Sequence, residues 1–216
     1  MLADQRELAA AESLLVRALA LSGDFTGEDR AVHAANLYTL AGIRFFRGDL
    51  EGAETGFREC AALDREVFGP DNPETLRSLE AMGAVLGHKG DHAGQARVFR
   101  ELLEASRRSF GDEHPRVASA LDNLGMALLA VGETEEAEAL LLRSVGMTRR
   151  LHRGDHRSTA RALNDLAQAL RQGGKLDEAT PLYVEAAAIQ ERVLGPAHTD
   201  RAVTRPRDLG RFSPGS

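Results

Sequence analysis

Apolar residues recur at i, i+3, i+4 and i+7 along most of this chain, the spacing that keeps them on one face of an α-helix. Leu121, Leu124, Gly125 and Leu128 show the pattern, and residues 133–150 repeat it with Ala137, Leu140, Leu141 and Ser144. Gly132 separates the two stretches and predicts a turn. The unit read from these positions is a helix–turn–helix hairpin.

That unit returns with a period of 42 residues. Phe68-Gly69-Pro70-Asp71-Asn72-Pro73 comes back as Phe110-Gly111-Asp112-Glu113-His114-Pro115, then more loosely as His152-Arg153-Gly154-Asp155-His156. Leu37, Leu79, Leu121 and Leu163 share a column, and Leu40, Met82, Leu124 and Leu166 share the next. Small residues follow at Ala41, Gly83, Gly125 and Ala167, turn glycines at Gly48, Gly90, Gly132 and Gly174, and bulky residues at Phe57, Phe99, Leu141 and Tyr183. The small column predicts close approach of the two helices in each hairpin. Pro73 and Pro115 fall where a first helical turn tolerates proline. The expected division is a second helix of a partial leading repeat at 1–25, repeats at 26–67, 68–109, 110–151 and 152–193, and a truncated fifth helix with a disordered tail at 194–216.

These columns resemble the tetratricopeptide pattern, filled in the third unit by Leu121, Leu124-Gly125, Leu128, Ala137 and Leu141. The 42-residue period, with Asp122-Asn123-Leu124-Gly125 and Glu135-Glu136-Ala137-Glu138, is similar to the kinesin-light-chain type of repeat. The resemblance implies an all-α, right-handed α-solenoid of antiparallel helix hairpins, in which the first helix of each hairpin lines a concave groove that holds extended peptides. Two positions depart from the pattern. Gln95 stands where Ala53, Ala137 and Ala179 stand elsewhere, and Arg44 replaces the large apolar residue found as Leu86, Leu128 and Leu170, leaving Phe45 or Phe46 to fill the space.

Composition narrows the function. Apolar residues make up 43% of the chain but aromatic residues only 5%, without tryptophan, so the core must be built from Leu, Ala and Val. The net charge of −6 argues against a nucleic-acid partner, which calls for a basic face. Cys60 is the sole cysteine, so neither an intramolecular disulfide nor a thiolate zinc site can form from it. No apolar run approaches the roughly 20 residues that span a bilayer. A cytoplasmic protein without membrane contact is the expectation.

Candidate chemistry reads as structure. His114, His156 and His198 share a position just before a first helix. His88 and His92 are four residues apart, but Gly90 breaks the helix face that a metal pair needs. Gly173-Gly174-Lys175 lacks the earlier glycine and the Ser/Thr of a phosphate loop. Cys60 falls in a buried-side column. No catalytic motif, cofactor or metal is expected, and the chain reads as a non-enzyme.

The groove candidates are Tyr38, Arg77, Asp122, Asn123, Met126, Arg161, Asn164, Gln168 and Arg171. Asn123, Asn164 and Gln168 suit the amides of an extended peptide. Arg161 and Arg171 suit a carboxylate, and Met126 and Tyr38 offer apolar pockets. The expected partner is a protein or peptide with an acidic or C-terminal carboxylate segment. The alternatives are a solvated polar face without a ligand, and a docking, sensor or self-association module of a larger signalling assembly that uses uncapped solenoid ends.

Overall fold

The structure, a computed structural model, describes residues 2–21 and 28–194. Among them are nine helices and no strand: α1 (Leu2–Leu21), α2 (Glu28–Phe46), α3 (Leu50–Phe68), α4 (Pro73–Lys89), α5 (His92–Phe110), α6 (Pro115–Val131), α7 (Thr134–Leu151), α8 (Arg157–Gln172) and α9 (Leu176–Leu194). The fifth helix and tail expected beyond 194 lie outside the described residues. Each helix packs chiefly on its neighbours in the chain, as in a solenoid, and α6 also touches α8.

The turn glycines set the hairpins. Gly48, Gly90, Gly132 and Gly174 all have φ between 79° and 98°, the left-handed region that a side chain disfavours. Asp49 and Asp91 cap the helices that follow, accepting from the backbone N–H of Gly52 at 2.9 Å and of Gly94 at 2.8 Å. The first helices are capped differently. Asn72 Oδ1 accepts from Glu74 N–H at 2.9 Å, and one repeat later His114 Nδ1 accepts from Arg116 N–H at 3.1 Å. His156 Nδ1 does the same for Ser158 at 3.2 Å, so these imidazoles act as helix caps.

The predicted columns form the core. Leu79, Leu121 and Leu163 are buried, as are Leu40, Leu124 and Leu166. The small column lies directly beneath the bulky one. A Cβ on Gly83 would sit 2.2 Å from the Phe99 ring, and one on Gly125 would sit 2.6 Å from Leu141 Cγ. Buried apolar residues divide into two clusters. The larger runs from Ala61 to Ile189; the smaller holds Ala41, Ala53, Phe57 and Val85, with Tyr38 and Phe45 packed against it.

Both departures have local remedies. Arg44 turns outward to Glu12 on α1, 3.5 Å away, while Phe45 joins the smaller cluster and Phe46 stays 81% exposed. Gln95 is accommodated by Gly87, where any Cβ would meet its amide nitrogen at 2.4 Å.

An ion-pair ladder ties successive units. Arg108 reaches Asp71 at 2.8 Å, Arg150 reaches Glu113 at 2.7 Å, and Arg192 reaches Asp155 at 2.8 Å. Each pair recurs 42 residues after the last. Exposed pairs are worth about 0–1 kcal/mol each, so they bias the register of stacking more than they stabilise it.

Candidate functional site

Two clefts open between consecutive first helices, each floored by the second helix between them. One, of about 470 Å³, lies between α4 and α6 over α5. Glu80, His88, Gln95 and Asn123 supply its polar rim, and Phe99, Met126 and Ala127 its apolar lining. The His88 ring meets Phe45 edge-on, with centroids 4.9 Å apart. The other, of about 180 Å³, lies between α6 and α8 over α7. It is lined by Ser119 and Asp122 from α6, Thr148 from α7, His152 and His156 from the connecting loop, and Arg161 from α8.

The groove candidates do not form one surface. Asn123 and Met126 line the larger cleft, and Asp122 and Arg161 the smaller. Asn164 and Gln168 are half-buried on α8, and Arg171 is exposed near its end, without an ion pair among the described residues. Tyr38 and Arg77 pair with each other. The guanidinium lies over the ring, 3.8 Å from its centroid, and Phe57 meets the same ring edge-on at 5.1 Å.

Three expectations need correction. Tyr38 is not an open apolar pocket, because Arg77 covers its face. Asp122 is not a free groove carboxylate: it is only 3% exposed, since it sits in the α6–α8 contact. Arg161 is not free to grip a ligand, because Asp122 already holds it at 3.0 Å.

The carboxyls of Asp122 and Asp165 face each other across the α6–α8 contact. Burial, with Asp165 facing it, pushes the Asp122 carboxyl up to about 7, against the pull of Arg161. Burial raises Asp165 as well. Asp122 Oδ1 is buried without a hydrogen-bond partner when both carboxyls are ionised; one proton shared with Asp165 supplies the missing donor. Beside them, His152 and His156 stack at 3.6 Å, nearly parallel. Burial and His156 hold the His152 imidazole below its ordinary value.

The sequence reading missed this cluster. A signal was present: the same two column positions read Asp122-Asn123 in one unit and Asn164-Asp165 in the next. The swap places acids on adjacent columns, which meet across the repeat junction. The histidine stack also had a precedent one repeat earlier, where Phe110 stacks on His114 at 4.4 Å.

Cys60 is sealed in the core. Its Sγ lies 3.2 Å from the Ala34 carbonyl and 3.3 Å from Ser78 Oγ, and burial pushes the thiol up to about 12. A thiol held protonated in this way is a poor nucleophile. Among the described residues no group of three or more His, Cys, Asp or Glu side chains is placed to hold a metal ion, and no helix is long and apolar enough to cross a membrane.

Family models for the tetratricopeptide repeat match residues 33–94 and 97–150, and again 75–116 and 159–200. The chain belongs to the tetratricopeptide repeat family. A sequence search of curated proteins finds no match. Among solved structures, this tetratricopeptide array is similar to BtubC (BKLC) from P. vanneervenii, with a TM-score of 0.77 at 17% identity, over 97% of this chain and 81% of that one. It is also similar to a Podospora anserina putative kinesin light chain with nearly identical TPR-like repeats, with a TM-score of 0.76 at 21% identity, over 88% and 91%. A Rap protein complexed with Competence and Sporulation Factor superposes with a TM-score of 0.63 at 16% identity. There the match covers 88% of this chain and 52% of the Rap protein. At these identities the likeness is one of fold.

Proposed function

We propose that this tetratricopeptide array is a non-catalytic, cytoplasmic scaffold that holds an extended peptide segment against its first helices. The observation that carries this reading is the pair of clefts between consecutive first helices, the larger with polar side chains around an apolar lining and the smaller lined mostly by polar and charged groups. Such a surface suits a peptide, whose backbone needs donors and acceptors at regular intervals and whose side chains need shallow pockets. Asn123, Asn164 and Gln168 are half-buried, so part of each amide stays within reach of a ligand. Met126 supplies apolar contact in the larger cleft. Arg171 is the guanidinium left for an acidic or C-terminal carboxylate group. The Rap protein, structurally similar, is seen complexed with Competence and Sporulation Factor.

The test is panning of the full chain against random peptide libraries, one with free C-termini and one with amidated C-termini. Enrichment of a consensus is expected, with the free-carboxyl form preferred. Arg171→Glu is expected to weaken the best peptide about tenfold, the value of roughly one charge-assisted contact. Asn123→Ala should weaken it without altering thermal unfolding. Enriched peptides that bind both variants as well as the parent would refute the groove.

A second reading is a docking or self-association module, favoured by exposed apolar side chains on the first and last described helices: Leu14 and Val16 on α1, and Leu176, Val184 and Val193 on α9. Light scattering across a concentration series separates the two. A mass that doubles with concentration and reverts in Val184→Glu supports association; a constant monomer mass excludes it.

A further inference from the structure

Once the proton shared by Asp122 and Asp165 is lost, the α6 wall of the smaller cleft carries a negative charge that the described protein does not balance. Asp122 contributes a buried carboxyl whose Oδ2 holds Arg161 at 3.0 Å and whose Oδ1 has no donor. Asp165 faces it from α8, and one guanidinium cannot neutralise two carboxylates. Either a proton stays on the pair or a cation enters. The other lining groups do not fill the need. The Ser144 hydroxyl donates to the Ala118 carbonyl at 3.1 Å, and the Thr148 hydroxyl to the Val145 carbonyl at 3.0 Å. His156 Nδ1 is spent as the cap of α8. His152 is held towards its neutral form by burial. The cleft therefore offers acceptors and negative charge within about 180 Å³, room on the scale of a single side chain rather than a folded segment.

We propose that this cleft receives the ammonium or guanidinium group of a Lys or Arg side chain presented by the bound peptide, with Asp122 as its anchor. The proposal deepens the peptide-scaffold reading and rests on it. It assigns opposite charges to the two ends of α8. Arg161 and Arg171 are ten residues apart, which is about 15 Å of helix. A peptide with a basic residue over Asp122 and an acidic group or C-terminus near Arg171 would match both ends. Binding a cation displaces the proton shared by Asp122 and Asp165, so affinity rises with pH. Arg161 on α8, and His152 and His156 in the loop, are the other charged or titratable groups lining the cleft.

The test uses acetylated and amidated Gly-Gly-Lys-Gly-Gly, its Arg form and its norleucine form, with butylammonium as a free-amine probe. Each is titrated into the 15N-labelled full chain at pH 8 and pH 5.5. The Lys or Arg peptide is expected to shift the backbone amides of Ser119, Asp122, Ser158 and Arg161. Its apparent affinity should fall at least tenfold at pH 5.5. Asp122→Asn should abolish the shifts while leaving the rest of the spectrum in place, and Asp165→Asn should weaken them. Equal shifts from the norleucine peptide, or shifts that persist in Asp122→Asn, would overturn the proposal. Butylammonium binding as tightly as the peptides would replace the peptide side chain with a free amine, and so overturn it too. Library peptides that bind the groove but carry no basic residue would sink this inference while leaving the groove intact.

Discussion

Gly125→Leu is expected to destabilise the helix packing by about 3 kcal/mol, the upper part of the usual range for overpacking. The first carbon of the new side chain would stand 2.6 Å from Leu141 Cγ and 3.3 Å from the Ala137 carbonyl oxygen. Leu141 is fully buried and cannot swing aside. The carbonyl belongs to the α7 backbone, so relief requires the two helices of the hairpin to separate. Urea unfolding of parent and variant, monitored by circular dichroism, measures the difference. Gly42→Ala is the matched control: no atom lies within 4 Å of its Cβ, so helix propensity alone should stabilise it by up to about 1 kcal/mol. A Gly125→Leu midpoint equal to the parent's would mean that α6 and α7 do not pack in this register.

Asp122→Asn is expected to stabilise the protein at pH 8 by roughly 2–4 kcal/mol, with the gain fading towards pH 4. The folded-state pKa of Asp122 is pushed up to about 7, well above its ordinary 3.8. The folded protein therefore holds the proton more tightly than the unfolded chain. The stability this confers is fully present below the unfolded pKa and is lost as pH rises through the folded one. Asparagine keeps the shape, cannot ionise, and its amide donates to Asp165 at every pH. Arg161 loses its partner, but it is 53% exposed and water compensates. Urea midpoints of both proteins at pH 4, 6 and 8 provide the check. A variant that is less stable at pH 8 would mean that the ionised Asp122 is well solvated or held by Arg161, and that folding does not raise its proton affinity.

How far the sequence could be read follows from the distance over which each feature acts. Column positions such as Leu121, Gly125 and Leu141 report contacts within one hairpin, and the period makes them visible. The helix-entry role of His114 and His156 was legible for the same reason, since a cap acts two residues away. What was missed acts between units and between columns that do not align. Arg77 covering Tyr38 joins α4 to α2, and Asp122 facing Asp165 joins α6 to α8. Neither follows from aligning the repeats, because alignment sets like positions together and these contacts pair unlike ones. The Gln95–Gly87 adjustment could have been found, since both residues depart from their columns within a single unit.

The division of the buried core has a mechanical meaning. The small cluster draws on α2, α3 and Val85 of α4, while the larger core begins at Ala61 on α3 and runs on to α9, so α2 is the hairpin helix that contributes nothing to it. A solenoid under tension yields where its seams are weakest, one unit at a time. Pulled along its axis, this array would behave as a spring with one soft coil, yielding first at α2 while the cleft-bearing helices from α4 onward stay wound and able to hold their cargo.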